Sequence, residues 1–328
     1  MHRCSIQGTG AYLPEKRLTN ADLERLVDTN EEWILQRTGI RERRIASASE
    51  CTSDLAVKAA QGALEAAEEE ASNVDAVIVA TVTPDTYCPA AAVYVQEKLG
   101  VGAAAAFDLS AACTGFVYGL ALGHSLIATS MAERVLVIGA ETLSRYVDYE
   151  DRSTCILFGD GAGAALLSRA VEGSGSYVAD NFIQADGAGA ELIHIPAGGA
   201  RLPASHDTVE AKQHFLRVQG RDVFKFATRI IVDLVERALD RNGLQLDDLK
   251  LIVPHQANYR IIEAALKRLK LPEERCFLNV ERYGNTSGAA VPIALHEAVD
   301  EGRLERGDWV LLLGFGAGLT WGYNLIKW

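Results

Sequence analysis

None of the six cysteines (Cys4, Cys51, Cys88, Cys113, Cys155, Cys276) belongs to a CxxC pair, and their spacing suggests no disulfide framework. Reduced thiols in a cytoplasmic protein are therefore expected. Positive charge is scarce: 32 lysines and arginines stand against 44 aspartates and glutamates, for a net charge of −12. That excludes nucleic acid as the main partner, because binding its backbone needs clustered positive charge. No apolar run of about 18 residues free of charge or glycine breaks occurs, so no membrane span is expected. The opening MHRCSIQGTGAYLP lacks the apolar core of a signal peptide. His206 and His214 stand in a polar stretch without further ligands, and no metal site is expected there.

What the chain does have is apolar content, 48% of its 328 residues, enough for one large domain or two related halves. It also has a repeat at half its length. In the first half a helical pattern over residues 52–70, with Thr52 or Ser53 as its cap, leads to the apolar strand VDAVIVAT. There follow the loop VTPDTYCP, a helix ending at Leu99, the strand AAAFDLS, a helix beginning near Cys113 and the strand RVLVIGAE. The second half runs in the same order: a helix over residues 222–242, LKLIVP, the loop HQAN, the helix YRIIEAALKRLK, the strand CFLNV, the loop ERYGNTSG, the helix AAVPIALHEAV and the strand DWVLLLGFGAG. A loop-and-helix segment after Arg201 has no counterpart and reads as an insertion.

Alternating helices and continuous apolar strands predict mostly parallel sheets covered on both faces. Two copies predict a pseudo-two-fold, five-layered α/β/α/β/α sandwich with halves 1–172 and 173–328. Under that symmetry Cys113 and the NTSG loop are counterparts, each where a strand hands over to a central helix. A helix N-terminus offers free N–H groups and partial positive charge, which is expected to lower the Cys113 thiol below its usual range. FGDGAGAALL, residues 158–167, opens into a strand rather than a helix, so it is no dinucleotide cradle.

Three polar loops converge at that axis, carrying Cys113, His255 in VPHQAN and Asn285 in YGNTSG. Singly, such residues are usually structural: a strand-end histidine, a turn asparagine. Together they favour a site. The stretches DLSAACTGF, VPHQAN, GNTSGAAVP and GFGAGLTWG resemble, in order, motifs of β-ketoacyl-acyl-carrier-protein synthase III, a branch of the thiolase superfamily. The likeness covers essentially the whole chain. Asparagine as the third partner marks the priming branch, since elongating synthases carry a second histidine and thiolases a second cysteine.

The resemblance implies an acyltransferase that starts fatty-acid synthesis and needs no cofactor, acyl-CoA being a substrate. Cys113 would take an acyl group from acyl-CoA, with the backbone N–H groups of Cys113 and Ala317 receiving the oxyanion. His255 and Asn285 would donate to the enolate formed when malonyl-acyl-carrier protein loses CO2. Trp33, Arg37, Thr38 and Arg152 match positions that hold the adenine end of CoA, and Gly220, Phe224, Ala257 and Asn258 match the pantetheine tunnel. Lys225, Arg260, Lys267 and Arg268, with Lys270, offer a basic patch to an acidic carrier protein. A homodimer is implied, with the Cys88 loop reaching the partner's acyl tunnel. The small Cys88 predicts tolerance of longer or branched primers, unless Tyr87 fills the position instead. Two other readings stay open: a synthase of a specialised acyl or polyketide pathway, and a hydrolase using the same Cys–His–Asn order. A non-catalytic acyl-binding module is disfavoured by the presence of all three polar residues.

Overall fold

Short runs of valine, isoleucine, leucine and alanine form strands that can be buried on both faces. The computed structural model describes residues 2–328 and contains two such sheets. The first comprises β1 (Cys4–Tyr12), β2 (Ala76–Ala80), β3 (Ala105–Leu109), β4 (Arg134–Glu141) and β5 (Gly161–Arg169), in the order β1-β5-β4-β2-β3. The second comprises β6 (Tyr177–Ala185), β7 (Leu249–Pro254), β8 (Trp309–Gly316) and β9 (Thr320–Lys327), in the order β7-β8-β9-β6.

Both sheets are mixed, which corrects the expectation of mostly parallel pairing. Strand β2 runs parallel to β3 and β4, and β7 parallel to β8. The pairs β1–β5, β4–β5, β8–β9 and β6–β9 are antiparallel. Residues 317–319 between β8 and β9 leave no length for a crossover helix, so that return must be antiparallel. The expected strand CFLNV is a second departure. Cys276 makes only an isolated bridge to Ile252, and Asn279 gives its N–H to Gln256 Oε1 at 3.1 Å instead of to a ladder. A short helix, Val280–Tyr283, begins at once.

Seven helices frame the sheets: α1 (Glu31–Thr38), α2 (Thr52–Ala66), α3 (Ala91–Leu99), α4 (Gly115–Ala128), α5 (Gly220–Asn242), α6 (Tyr259–Leu269) and α7 (Ala290–Asp300). The central layer is α4 and α7. Their Phe116, Leu120, Val291 and Leu295 share one core with Val135 and Val137 of the first sheet and Val310 and Leu312 of the second. Each such side chain, fully buried, contributes about 1.5–3 kcal/mol. Helices α2 and α3 cover the outer face of the first sheet, and α5 and α6 that of the second. The result is the five-layered thiolase-like sandwich.

The pseudo-two-fold is sharpest at the central helices. A tight turn, Ala112–Thr114, leads into α4, and its counterpart Ser287–Ala289 leads into α7. Each turn opens on a non-glycine residue in the left-handed region, Ala112 at φ 47° and Ser287 at φ 48°. In this register the mate of Cys113 is Gly288.

Candidate active site

Cys113 stands in the turn between β3 and α4, and β8 passes directly against it. A Cβ on Gly316 would lie 2.7 Å from Cys113 Cβ and 3.2 Å from its Sγ, so only glycine lets the strand approach. Thr320 Oγ1 lies 3.1 Å from Ala111 O and 2.9 Å from both Ala317 O and Thr114 Oγ1, tying the Cys113 turn to the 317–319 turn. Thr320 stands within GFGAGLTWG, where nothing in the sequence signals that role.

His255 follows β7, and its N–H donates to Leu313 O at 2.8 Å. The ring meets Phe315 edge-on, centroids 5.3 Å apart. Its Nδ1 is enclosed without a partner, so chemistry directed at the cavity falls to Nε2. Burial pushes the imidazole pKa down to about 3, which keeps the ring neutral at physiological pH. Asn285 is oriented by its neighbours: its Oδ1 accepts from the Ser287 N–H at 2.9 Å, leaving the amide NH2 as the end free to donate. Its own N–H donates to Leu157 O at 2.8 Å, and its carbonyl accepts from Gly159 N–H at 3.1 Å.

Cys113, His255, Asn285 and Ala317 line one cavity of about 310 Å³, together with Gly220, Phe224, Ala257 and Asn258. Apolar side chains dominate the rest of the wall. Among them Ile193, Leu216 and Val218 come from the two-strand ladder Ile193–His194 with Arg217–Val218. That ladder brackets the segment read as an insertion, which therefore completes the cavity. Nothing in its sequence signals this.

The thiol is not the pre-lowered group expected at a helix end. Enclosure pushes Cys113 up to about 12, with the Glu141 charge adding to the rise. A bond to Ser287 Oγ at 3.5 Å and the backbone N–H oppose it and lose. Helix-end polarity acts over one turn, whereas desolvation penalises the whole charge.

The adenine cluster is partly assembled. The guanidinium of Arg37 lies 5.6 Å from the Trp33 ring centre and that of Arg152 5.1 Å from it. Arg152 also donates to Asp28 O at 3.0 Å. Thr38 is buried: its hydroxyl donates to Ile34 O at 2.7 Å and accepts from Ile40 N–H at 3.0 Å, so it shapes the end of α1 rather than facing a ligand. Asn258 caps α6 through Arg260 N–H at 2.8 Å and donates to Arg37 O at 3.1 Å, joining the two regions. On the basic patch, Arg260 and Lys267 share Glu263 at 3.1 and 2.8 Å, and Lys225 pairs loosely with Asp222 at 3.5 Å. Cys88 and Tyr87 are both exposed in the single chain. His214 bonds Thr208 Oγ1 at 2.9 Å.

A five-layered sandwich whose two halves close on a cysteine-bearing cavity at the pseudo-two-fold axis defines a condensing enzyme of the thiolase type. Comparison with known proteins narrows the class. Residues 107–187 match the family model described as 3-oxoacyl-[acyl-carrier-protein] synthase III, and residues 239–328 match the model of its C-terminal region. The β-ketoacyl-[acyl-carrier-protein] synthase III of Caldanaerobacter subterraneus subsp. tengcongensis is 52% identical, over 98% of this chain and 97% of that protein. The solved synthase III structures from Thermus thermophilus and Aquifex aeolicus are 47% and 44% identical, with TM-scores of 0.92 and 0.91, each covering 99% of this chain and 99% and 100% of theirs. The chain belongs to the β-ketoacyl-acyl-carrier-protein synthase III family, the condensing acyltransferases that initiate fatty-acid synthesis. Neither the hydrolase nor the specialised-pathway reading is favoured by these matches.

Proposed function

We propose that the two halves, 1–172 and 173–328, share one catalytic chamber in which Cys113, His255 and Asn285 divide the work. Cys113 Sγ attacks the thioester carbon of an acyl-CoA primer. The oxyanion is received by the backbone N–H groups of Cys113 and Ala317, and CoA leaves as the C–S bond breaks. Malonyl-acyl-carrier protein then enters and loses CO2. The enolate oxygen accepts hydrogen bonds from His255 Nε2–H and Asn285 Nδ2–H, and the enolate carbon displaces Cys113 to give 3-ketoacyl-acyl-carrier protein. A neutral His255 suits this role, because it donates a hydrogen bond without supplying a proton that would quench the carbanion. What supports the reading is that all three side chains line one cavity of about 310 Å³.

Trp33, Arg37 and Arg152 hold the adenine end of CoA, with Arg152 moving off the indole to admit the base. Gly220, Phe224, Ala257 and Asn258 flank the pantetheine arm. Lys225, Arg260, Lys267 and Arg268 receive the carrier protein. The enzyme works as a cytoplasmic homodimer without a cofactor, and the Cys88 loop closes the partner's acyl pocket. Intact-mass measurement after mixing with a panel of acyl-CoAs tests the core of this. A single acyl adduct, absent in Cys113→Ser, is the expected result. In His255→Ala and Asn285→Ala, acylation persists while decarboxylation falls about 10²- to 10³-fold. Equal loss of both half-reactions would overturn the division of roles.

A further inference from the structure

In the condensation scheme two donors on separate loops must meet one enolate oxygen, yet the backbone bonds at these residues tie each loop elsewhere. His255 N–H donates to Leu313 O of β8, and Asn285 N–H donates to Leu157 O. Side chains join the two loops instead. Gln256, next to His255, is wholly buried, and its amide donates to Pro254 O at 2.8 Å and to Phe277 O at 3.0 Å. Its Oε1 accepts the Asn279 N–H at 3.1 Å. The buried Asn279 side chain donates in turn to Glu297 Oε2 at 2.8 Å. Glu297 stands near the end of α7, and its Oε1 accepts from the Tyr283 hydroxyl at 2.5 Å. Between Tyr283 and Asn285 lies Gly284, held at φ 65° where a Cβ would come 2.6 Å from Leu157 O, so that link has little slack. The Glu297 carboxylate thus spans both loops, one oxygen serving the His255 side and the other the Asn285 side. Arg282 shares Oε2 at 3.0 Å and reaches Glu301 at 3.8 Å.

We propose that Glu297 is a positioning residue for decarboxylation, its carboxylate locking the His255 and Asn285 loops in one register. This rests on the enolate-donor reading above. Donors stabilise a developing charge best when their geometry is set before it appears, and a misplacement of about 1 Å can cost about 10²-fold in rate. Glu297 lies outside the cavity wall, so it acts only through its partners. The turn carrying Cys113 is held by separate contacts, from Thr320 Oγ1 and from the close pass of Gly316. Acylation of Cys113 therefore does not depend on the bridge.

The chemistry of the bridge says which substitutions keep it. Three donors converge on Glu297, from Asn279, Tyr283 and Arg282, and a carboxylate accepts on both oxygens. A glutamine still serves: its carbonyl accepts from Asn279 and Arg282, and its NH2 donates to the Tyr283 hydroxyl, which accepts as readily as it donates. A leucine fills similar space and offers neither contact.

Single-turnover acylation by acyl-CoA and CO2 release from malonyl-acyl-carrier protein, measured separately on the full chain, decide the matter. Glu297→Leu should acylate at the wild-type rate but lose about 10²-fold in kcat for decarboxylation, with KM for malonyl-acyl-carrier protein unchanged. Glu297→Gln should restore most of that loss. Tyr283→Phe, which cuts only the Asn285 side, should show a smaller loss of the same kind. In an Asn285→Ala background Glu297→Leu should cost less than in wild type, because one donor it positions is already gone. Full additivity there, wild-type decarboxylation by Glu297→Leu, or equal loss of both half-reactions would overturn the proposal. If Glu297→Leu gives no cooperative thermal melt, Tyr283→Phe decides, and wild-type decarboxylation in that variant overturns the bridge. Should His255→Ala and Asn285→Ala themselves slow acylation and decarboxylation equally, the enolate-donor reading falls instead.

Discussion

At His255 the cost of enclosure becomes a pH dependence of stability. The unfolded ring takes a proton near 6.5, while the folded ring resists it until about 3. Between those values the unfolded state binds more protons, so stability is full above about 6.5 and falls as the pH drops. Glu141 works the other way: its carboxyl is raised from 4.5 to about 7, so folding is favoured below that window and loses ground as pH rises through it. Urea unfolding should therefore show wild type losing more stability than His255→Gln on acidification below neutrality. Parallel curves would contradict the buried neutral ring. Gly316 carries a second prediction at this scale. A methyl group 2.7 Å from Cys113 Cβ must displace that side chain, the proposed nucleophile. Gly316→Ala should thus keep its thermal melt but acylate about 10²-fold more slowly.

Among the elements, the strand Glu42–Ile45 holds the cavity wall in place through one side chain. Arg43 is wholly buried, and its guanidinium donates to Ile156 O at 2.6 Å, Asn20 Oδ1 at 2.9 Å and Leu18 O at 3.2 Å. Directly after Ile156 come Leu157 and Phe158, which line the cavity, and Leu157 O holds the Asn285 amide. Arg43→Met fills similar space yet strands these acceptors, at about 1–3 kcal/mol for each left without a partner. Denaturant titration should show that loss, and the altered 156–158 segment should slow decarboxylation more than acylation. The stretch TNEEWILQRTGIRERR thus divides between surface and interior: Trp33 and Arg37 belong to the proposed CoA mouth, whereas Thr38 and Arg43 are structural. A run of arginines in sequence does not reveal which one is buried.

For the molecule as a whole, charge and assembly bear on partners. The net charge of −12 makes any encounter with an acidic carrier protein unfavourable except at a locally basic face. Since Glu263 neutralises part of Arg260 and Lys267, Arg268 should dominate steering there. Charge reversal by Arg268→Glu should raise KM for malonyl-acyl-carrier protein and weaken its salt dependence, while acylation by acyl-CoA stays unchanged. Tyr87 is 84% exposed beside Cys88 in the lone chain, a large apolar surface of the sort that assembly covers. In the proposed dimer Cys88→Phe should shift kcat/KM toward short primers by about 10-fold or more, measured with matched straight and branched acyl-CoAs.

The sequence by itself determined what depends on neighbours along the chain. Apart from the CFLNV run, the order in which the helices and strands were read, the bounds of β4 and β7, and the loops carrying Cys113, His255 and Asn285 follow from apolar runs and turn residues. Tertiary structure alone decided what depends on remote groups. It makes the sheets mixed, pairs Cys113 with Gly288 across the axis and brings Ile193, Ile195, Leu216 and Val218 into the cavity wall. It also raised the thiol that local helix polarity was expected to lower. The reason is that ionisation depends on how much water surrounds a group, and that water is removed by side chains far away in sequence.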